Sequence, residues 1–222
     1  MRRNTQLRLQ AFAAVFVGLV AAAMLSGDRA GAPPIAGRLG PTPGPNATGH
    51  VEAKRGYLDR IASEDPDAKA AALVSFSRFV RSPDVATMVG GLKSSVVFVR
   101  FPESPFEAIA LTKSLEETMS TRADELADDV RAEVVSLEAQ LREAQGAERE
   151  TLSASLERRR QALNGLTADC ACIYAIGLES STLAQLAALQ GRGEVQLVDV
   201  PDPVTTSLEG WHLTPVVPAA GA

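Results

Sequence analysis

Histidine is almost missing from this chain: of 222 residues only His50 and His212 are imidazoles. Both lie outside the segments whose patterning predicts a folded core, so histidine acid–base or triad catalysis has little to work with. Cysteine is as scarce, with Cys170 and Cys172 alone. A zinc site built from that pair and a distant histidine would lack the usual ligand spacing. No G-x-S-x-G elbow, phosphate-cradling glycine loop or dinucleotide fingerprint occurs. No catalytic, cofactor or metal residue is therefore assigned, and the chain reads as non-enzymatic. No basic stripe follows the N-terminus, and the formal charge is -5 with a pI of about 5.2, which removes the electrostatic case for nucleic acid. Carboxylates are plentiful, but nearly half fall on one long helical stretch, where they serve as a solvated face.

Long apolar runs are also few, and one matters for location. Arg2, Arg3 and Arg8 precede an uncharged stretch from Ala11 to Leu25, which is a membrane-targeting pattern. Its length falls between a signal-peptide core of about 7–15 residues and a spanning helix of about 17–25. Met24 and Leu25 extend the run, and no early cysteine is present to take a lipid. Residues 1–27 are read as a cytoplasmic tip and one signal-anchor transmembrane helix, with cleavage and secretion as the alternative. Arginines before the span put the N-terminus in the cytoplasm and the rest outside. The expected location is the cell membrane, single-pass, with an extracytoplasmic domain. Residues 28–56 are rich in Pro and Gly and poor in bulky apolar side chains, and predict a linker.

What the chain does have is an internal repeat. Residues 73–102 fall without a gap on residues 172–201: Val96 on Val195, Phe98 on Leu197, Val99 on Val198, Phe101 on Val200, Pro102 on Pro201, and Ser82 on Ser181. Each copy predicts strand, helix, strand. In the first half, 57–104, Ser82-Pro83-Asp84 signals a helix start and Gly90-Gly91 its end. In the second, 167–204, Ser180-Ser181-Thr182 caps a helix carrying Leu183, Leu186 and Leu189, and Gly191 and Gly193 stop it. A lone two-strand unit buries too little apolar surface to offset its chain entropy. The two halves are expected to pair into one four-stranded antiparallel sheet with both helices on one face, a ferredoxin-like α+β fold.

Between the halves, residues 105–166 predict a helical hairpin. Leu115, Met119, Leu126, Val130, Val134, Leu137 and Leu141 recur at three-, four- and seven-residue spacings. Past Gly146 a second helix carries Leu152, Leu156, Leu163 and Leu166. An unbroken helix over this length would hold the halves nearly 90 Å apart, at about 1.5 Å per residue, and forbid a shared sheet. The chain is therefore expected to fold back at Gly146 as an antiparallel coiled hairpin, bringing Arg158, Arg159 and Arg160 near Asp128, Asp129 and Glu133.

Three features remain with a functional reading. Cys170 and Cys172 would share one face of a strand, and are open to being two thiols, a bridge across one residue, or a redox pair. The tail, 205–222, sets Trp211, Leu213, Val216 and Val217 among prolines that prevent a helix. It reads as an apolar, irregular cover for the domain, or as a docking segment with Trp211 and Leu213 as partner contacts. Ala123, Ala127 and Val135 widen the apolar stripe of the first hairpin arm, which predicts homo-oligomers.

Short cytoplasmic end, one span, linker, ferredoxin-like domain and coiled helices form an arrangement similar to that of the single-span alignment proteins of type IV pilus and type II secretion machines. It departs from theirs in carrying the coiled segment inside the domain, so no residue is carried over. The expected function is a membrane-anchored extracytoplasmic interaction or assembly scaffold that binds the membrane through its span and a protein partner through its domain. Alternatives are an extracytoplasmic ligand- or protease-binding regulatory module, and a thiol redox protein using Cys170 and Cys172.

Overall fold

The computed structural model describes residues 37–41 and 47–218. In chain order the elements are β1 (Gly37–Leu39), α1 (Ala47–Glu64), β2 (Lys69–Val80), α2 (Ser82–Val89), β3 (Lys93–Val99) and β4 (Glu107–Ala110). There follow α3 (Leu115–Glu143), α4 (Gly146–Gly165), β5 (Ile173–Thr182), α5 (Leu183–Gln190), β6 (Val195–Asp199) and β7 (Trp211–Leu213). The class is mixed α+β. Five strands form one antiparallel sheet in the order β4-β3-β5-β2-β6. β2 and β3, from the first repeat, flank β5; β5 and β6, from the second, flank β2. Neither repeat makes a sheet by itself.

The sheet is covered on both faces, and its side chains sort by the two-residue period of a strand except at the β5 irregularity between Ile173 and Ala175, where the adjacent Tyr174 and Ala175 share a face. On one face Val74, Phe76, Val97, Val99, Ile176, Leu178 and Val198 join Leu58 of α1, Val85 of α2, Met119 of α3 and Leu186 of α5 in the main core. On the other, Leu73, Phe98, Tyr174 and Ala175 meet Leu39, Leu208 and the half-buried Trp211 and Leu213. Each fully buried Leu, Ile or Phe contributes about 1.5–3 kcal/mol. The central strand β2 opens on three alanines, Ala70, Ala71 and Ala72, all fully buried. Alanine favours helices on intrinsic propensity; here small side chains suit a segment buried on both faces, paired with β5 on one edge and tied to the Thr205 carbonyl on the other.

The repeat helices start and stop by local chemistry. α5 has a complete capping box, Thr182 with Gln185. α2 has Arg81 at its N-cap with no side-chain cap, and Pro in the first turn. Ser82, read from sequence as the cap, lies inside that turn and is buried. Gly90, at φ 56, closes α2 in the left-handed conformation that glycine adopts without strain.

Several expectations are corrected. The sheet has five strands instead of four, because residues 107–110 pair with β3 as its edge strand. The first long helix accordingly starts at Leu115, where Ser114 accepts the Glu117 N–H, and not after Pro105. Residues 28–56, read as a linker, include β1 and the first half of α1. The low apolar content that suggested a linker is real, but these elements are held by charged side chains and by β7. The tail is not irregular throughout, since β7 pairs in parallel with β1. Among the described residues no helix is long and apolar enough to cross a membrane; the span expected within residues 1–27 lies outside them.

Candidate functional site

Cys170 and Cys172 sit in the turn between α4 and β5, one residue short of the strand that sequence patterning assigned them. The turn brings their Cα atoms to 5.3 Å, and the two are joined as a disulfide. The backbone around the bridge is held independently of the sulfurs: the Cys170 N–H donates to the Thr167 carbonyl at 3.1 Å, and the Arg100 N–H to the Cys172 carbonyl at 2.8 Å. The bridge lines a cleft of about 460 Å³ with Phe79, Arg100, Pro102 and Glu103. Glu103 takes a left-handed φ of 60, uncommon for a residue with a side chain.

Beside this cleft the aromatic residues gather. Tyr174 packs edge-on against Phe79, Phe98 and Phe106, with ring centroids 6.1, 6.1 and 5.2 Å away. Burial pushes the Tyr174 phenol above its ordinary pKa. Phe106 is 46% exposed, and the Arg100 guanidinium stacks 4.8 Å from its ring centre. No periodic pattern marks this group, because Phe79 and Phe98 come from different strands of the first repeat and Tyr174 from the second.

The tail residues proposed for docking lie on the sheet. Trp211 pairs with Gly37 and Leu213 with Leu39, and both pack on the second core. The chain leading into β7 is attached at irregularities in the sheet. Ala71, at a break in β2 register, donates its N–H to the Thr205 carbonyl at 2.5 Å; Ser180, at φ 50, donates to Thr206 at 3.1 Å. Gly177 makes the room for Leu208. A Cβ there would lie 2.7 Å from a Leu208 methyl and 2.5 Å from one of Val96.

One cluster escaped sequence reading. Asp199, at the end of β6, is 1% exposed, and its Oδ2 accepts the Gly40 N–H at 2.6 Å and lies 3.2 Å from His50 Nε2. Lys54 Nζ sits 2.9 Å from Oδ1, off the line of a hydrogen bond, so that contact is ionic. His50 and Lys54 are one turn apart on α1 and face the same way. Lys54 and Arg55 also donate to the Val200 and Gln196 carbonyls, and Gln190 accepts the Val198 N–H. Together these groups blunt the free edge of β6. The cluster fastens the N-terminal elements to the sheet. The spacing i, i+4 of His50 and Lys54 was visible, but nothing local tied it to a residue 149 positions away.

The hairpin reverses at Gly146, at φ 57. Arg159 bridges to Glu133 at 2.7 Å and Arg160 to Glu138 at 2.8 Å, which sets the antiparallel register of α3 on α4. A cleft of about 390 Å³ runs beside these pairs, lined by Glu103, Glu133, Gln140, Arg158 and Arg159. Ala123 and Ala127, expected on an oligomer face, belong to the main core instead. Val135 is 66% exposed. Beyond Val130 on α3 and before Leu163 on α4, no hairpin residue enters either core. His212 is exposed on β7. Among the described residues no three His, Cys, Asp or Glu side chains group as metal ligands.

No protein-family model, curated protein or solved structure matches this chain.

Proposed function

We propose that this chain is a membrane-anchored, extracytoplasmic interaction or assembly scaffold without catalytic activity, and that the outer half of the α3–α4 hairpin is its partner-binding element. The observation that carries the reading is the hairpin's reach. α3 alone has 29 residues, about 43 Å at 1.5 Å per residue, and its outer half contributes nothing to the core that holds the sheet together. A helical segment as short as the outer half of α3 is marginal in water without tertiary support, yet the outer arms keep Val134, Leu137, Leu141, Leu152 and Leu156 for their own seam and leave Val135 outside it. Such a seam maintains a rigid projection. A helical segment of a second protein laid along the Val135 side of α3 would bury that side chain and meet the alternating charges around it.

The body is read as ferredoxin-like with an added edge strand. Interleaving of the two β-α-β units, with α2 and α5 both feeding the core on one face, supports that reading. The anchor rests on the Arg-then-apolar pattern of residues 1–27.

Photoreactive residues placed at Val135 and at Ala139, one turn further along the same exposed face, test the proposal when the full-length protein is crosslinked in its native membrane and read by mass spectrometry. One discrete heterologous partner is the expected outcome. Self-crosslinks alone would replace the scaffold with a homo-oligomeric spacer. A second reading, a small-ligand regulatory module, draws on a groove of about 200 Å³ between the C-terminal end of α2 and the length of α5, lined by Met88, Leu92, Gln185 and Arg192. A ligand held there would raise the melting temperature by mass action.

A further inference from the structure

We infer that the Cys170–Cys172 disulfide is a thiol-exchange site opening on the cleft beside Arg100, and not a staple for the fold. Three observations carry this. The first is loop size: the bridge spans a sequence separation of two. A disulfide stabilises mainly by restricting the unfolded chain, and the effect shrinks with the loop it closes. Here the loop is one turn that hydrogen bonds already hold at both ends, through Cys170 N–H to Thr167 and Arg100 N–H to Cys172. Neither bond involves sulfur, so the turn keeps its backbone when the bridge opens.

The second is access. Both sulfur-bearing residues line the 460 Å³ cleft, but they are unequal: Cys170 is half-buried and Cys172 is 1% exposed. An incoming thiolate therefore meets the Cys170 sulfur first. The third is the surrounding charge. Arg100, held by its stack on Phe106, supplies a cation to the cleft that favours thiolates arriving and forming there. Glu103 on the same wall bears the opposite charge and limits that effect.

The exchange is balanced by a thiol substrate as the class of co-reactant. A thiolate RS⁻ attacks Sγ of Cys170; a new S–S bond forms, the Cys170–Cys172 bond breaks, and its electron pair leaves on Cys172 Sγ, which takes up a proton. That sulfur lies 3.5 Å from the Cys170 carbonyl oxygen, an acceptor for the released thiol. A second thiolate then attacks the substrate sulfur of the mixed disulfide and releases RSSR, leaving Cys170 as the second thiol after protonation. In sum, two RSH are oxidised to RSSR and the protein disulfide is reduced to a dithiol.

Purified full-length protein equilibrated with glutathione at graded ratios, quenched by alkylation and weighed intact, tests this with glutathione as the probe. The expected result is reversible gain and loss of two alkyl groups across the series, with the reduced protein still showing a cooperative melt. Oxidised glutathione should form a mixed disulfide with Cys170 in Cys172→Ser, releasing reduced glutathione, at least about tenfold faster than with Cys172 in Cys170→Ser. A bridge that resists glutathione until denaturant is added, or a reduced protein that loses its melt, would make it a staple. Equal trapping rates would overturn the assignment of Cys170 as the attacked sulfur, and full alkylation of the untreated native protein would remove the bridge altogether.

Discussion

Asp199 shows how much one buried carboxylate can organise. Its two oxygens meet a backbone N–H of the β1 turn, an imidazole and an ammonium, all from the N-terminal elements. An amide in its place loses the charge that all three share and turns an NH2 donor toward either the Lys54 ammonium or the Gly40 N–H. Asp199→Asn should therefore lower stability by about 2–3 kcal/mol in urea unfolding, whereas Lys54→Ala, whose side chain is 22% exposed, should cost about 1 kcal/mol. Equal costs would mean that the ionic contact dominates the site. Gly177 is the second residue with a large expected effect. Its missing Cβ leaves room for Leu208 and Val96, so Gly177→Ala should cost about 1–3 kcal/mol by overpacking. Adding Leu208→Ala should restore part of that loss, and strict additivity in the double-mutant cycle would show that the two do not touch. The sequence held no hint of either residue's role. An aspartate and a glycine in strands look unremarkable until the segment that contacts them, more than a hundred residues away for Asp199, is in place.

At the scale of elements, the tail and β1 act as one cover. β7 pairs with β1, and both lie over Phe98, Tyr174 and Ala175 on the sheet's second face. Truncation after Leu208 should uncover that face and lower the melting temperature by about 5–10 °C, from a loss of some 2–4 kcal/mol in a domain of this size. An unchanged melting temperature would return Trp211 and Leu213 to the role of docking residues for a partner. Arg122 does for the opposite edge what Arg55 does for β6: its guanidinium grips both oxygens of Glu107 at 2.9 Å and so ties β4 to α3. The repeat's helices and long strands were legible because caps, glycine stops and periodicity are local signals. β4 was not, since Glu107-Ala-Ile-Ala has good helix formers and becomes a strand only through its pairing with β3.

The whole molecule divides its labour between a two-faced sheet and a projecting hairpin. If the outer hairpin serves a partner and not the fold, joining residue 130 to residue 159 through a short turn should leave the melting temperature within a few degrees of the parent. The same variant should lose the crosslinked partner. A collapse in stability would show that the outer seam supports the core after all, despite contributing no residue to it. Two strand-helix-strand units, the chain reversal at Gly146 and the antiparallel arms were all inherent in the order of residues, because each depends on neighbours within a turn or two. The β1–β7 cover, the Asp199 cluster and the cleft that sets Phe79 and Arg100 beside the Cys170–Cys172 turn were decided only by the tertiary structure. Each needs groups that the chain brings together late, such as Gly40 and Asp199, which are 159 residues apart, and no local pattern encodes a contact whose two halves are specified so far from each other.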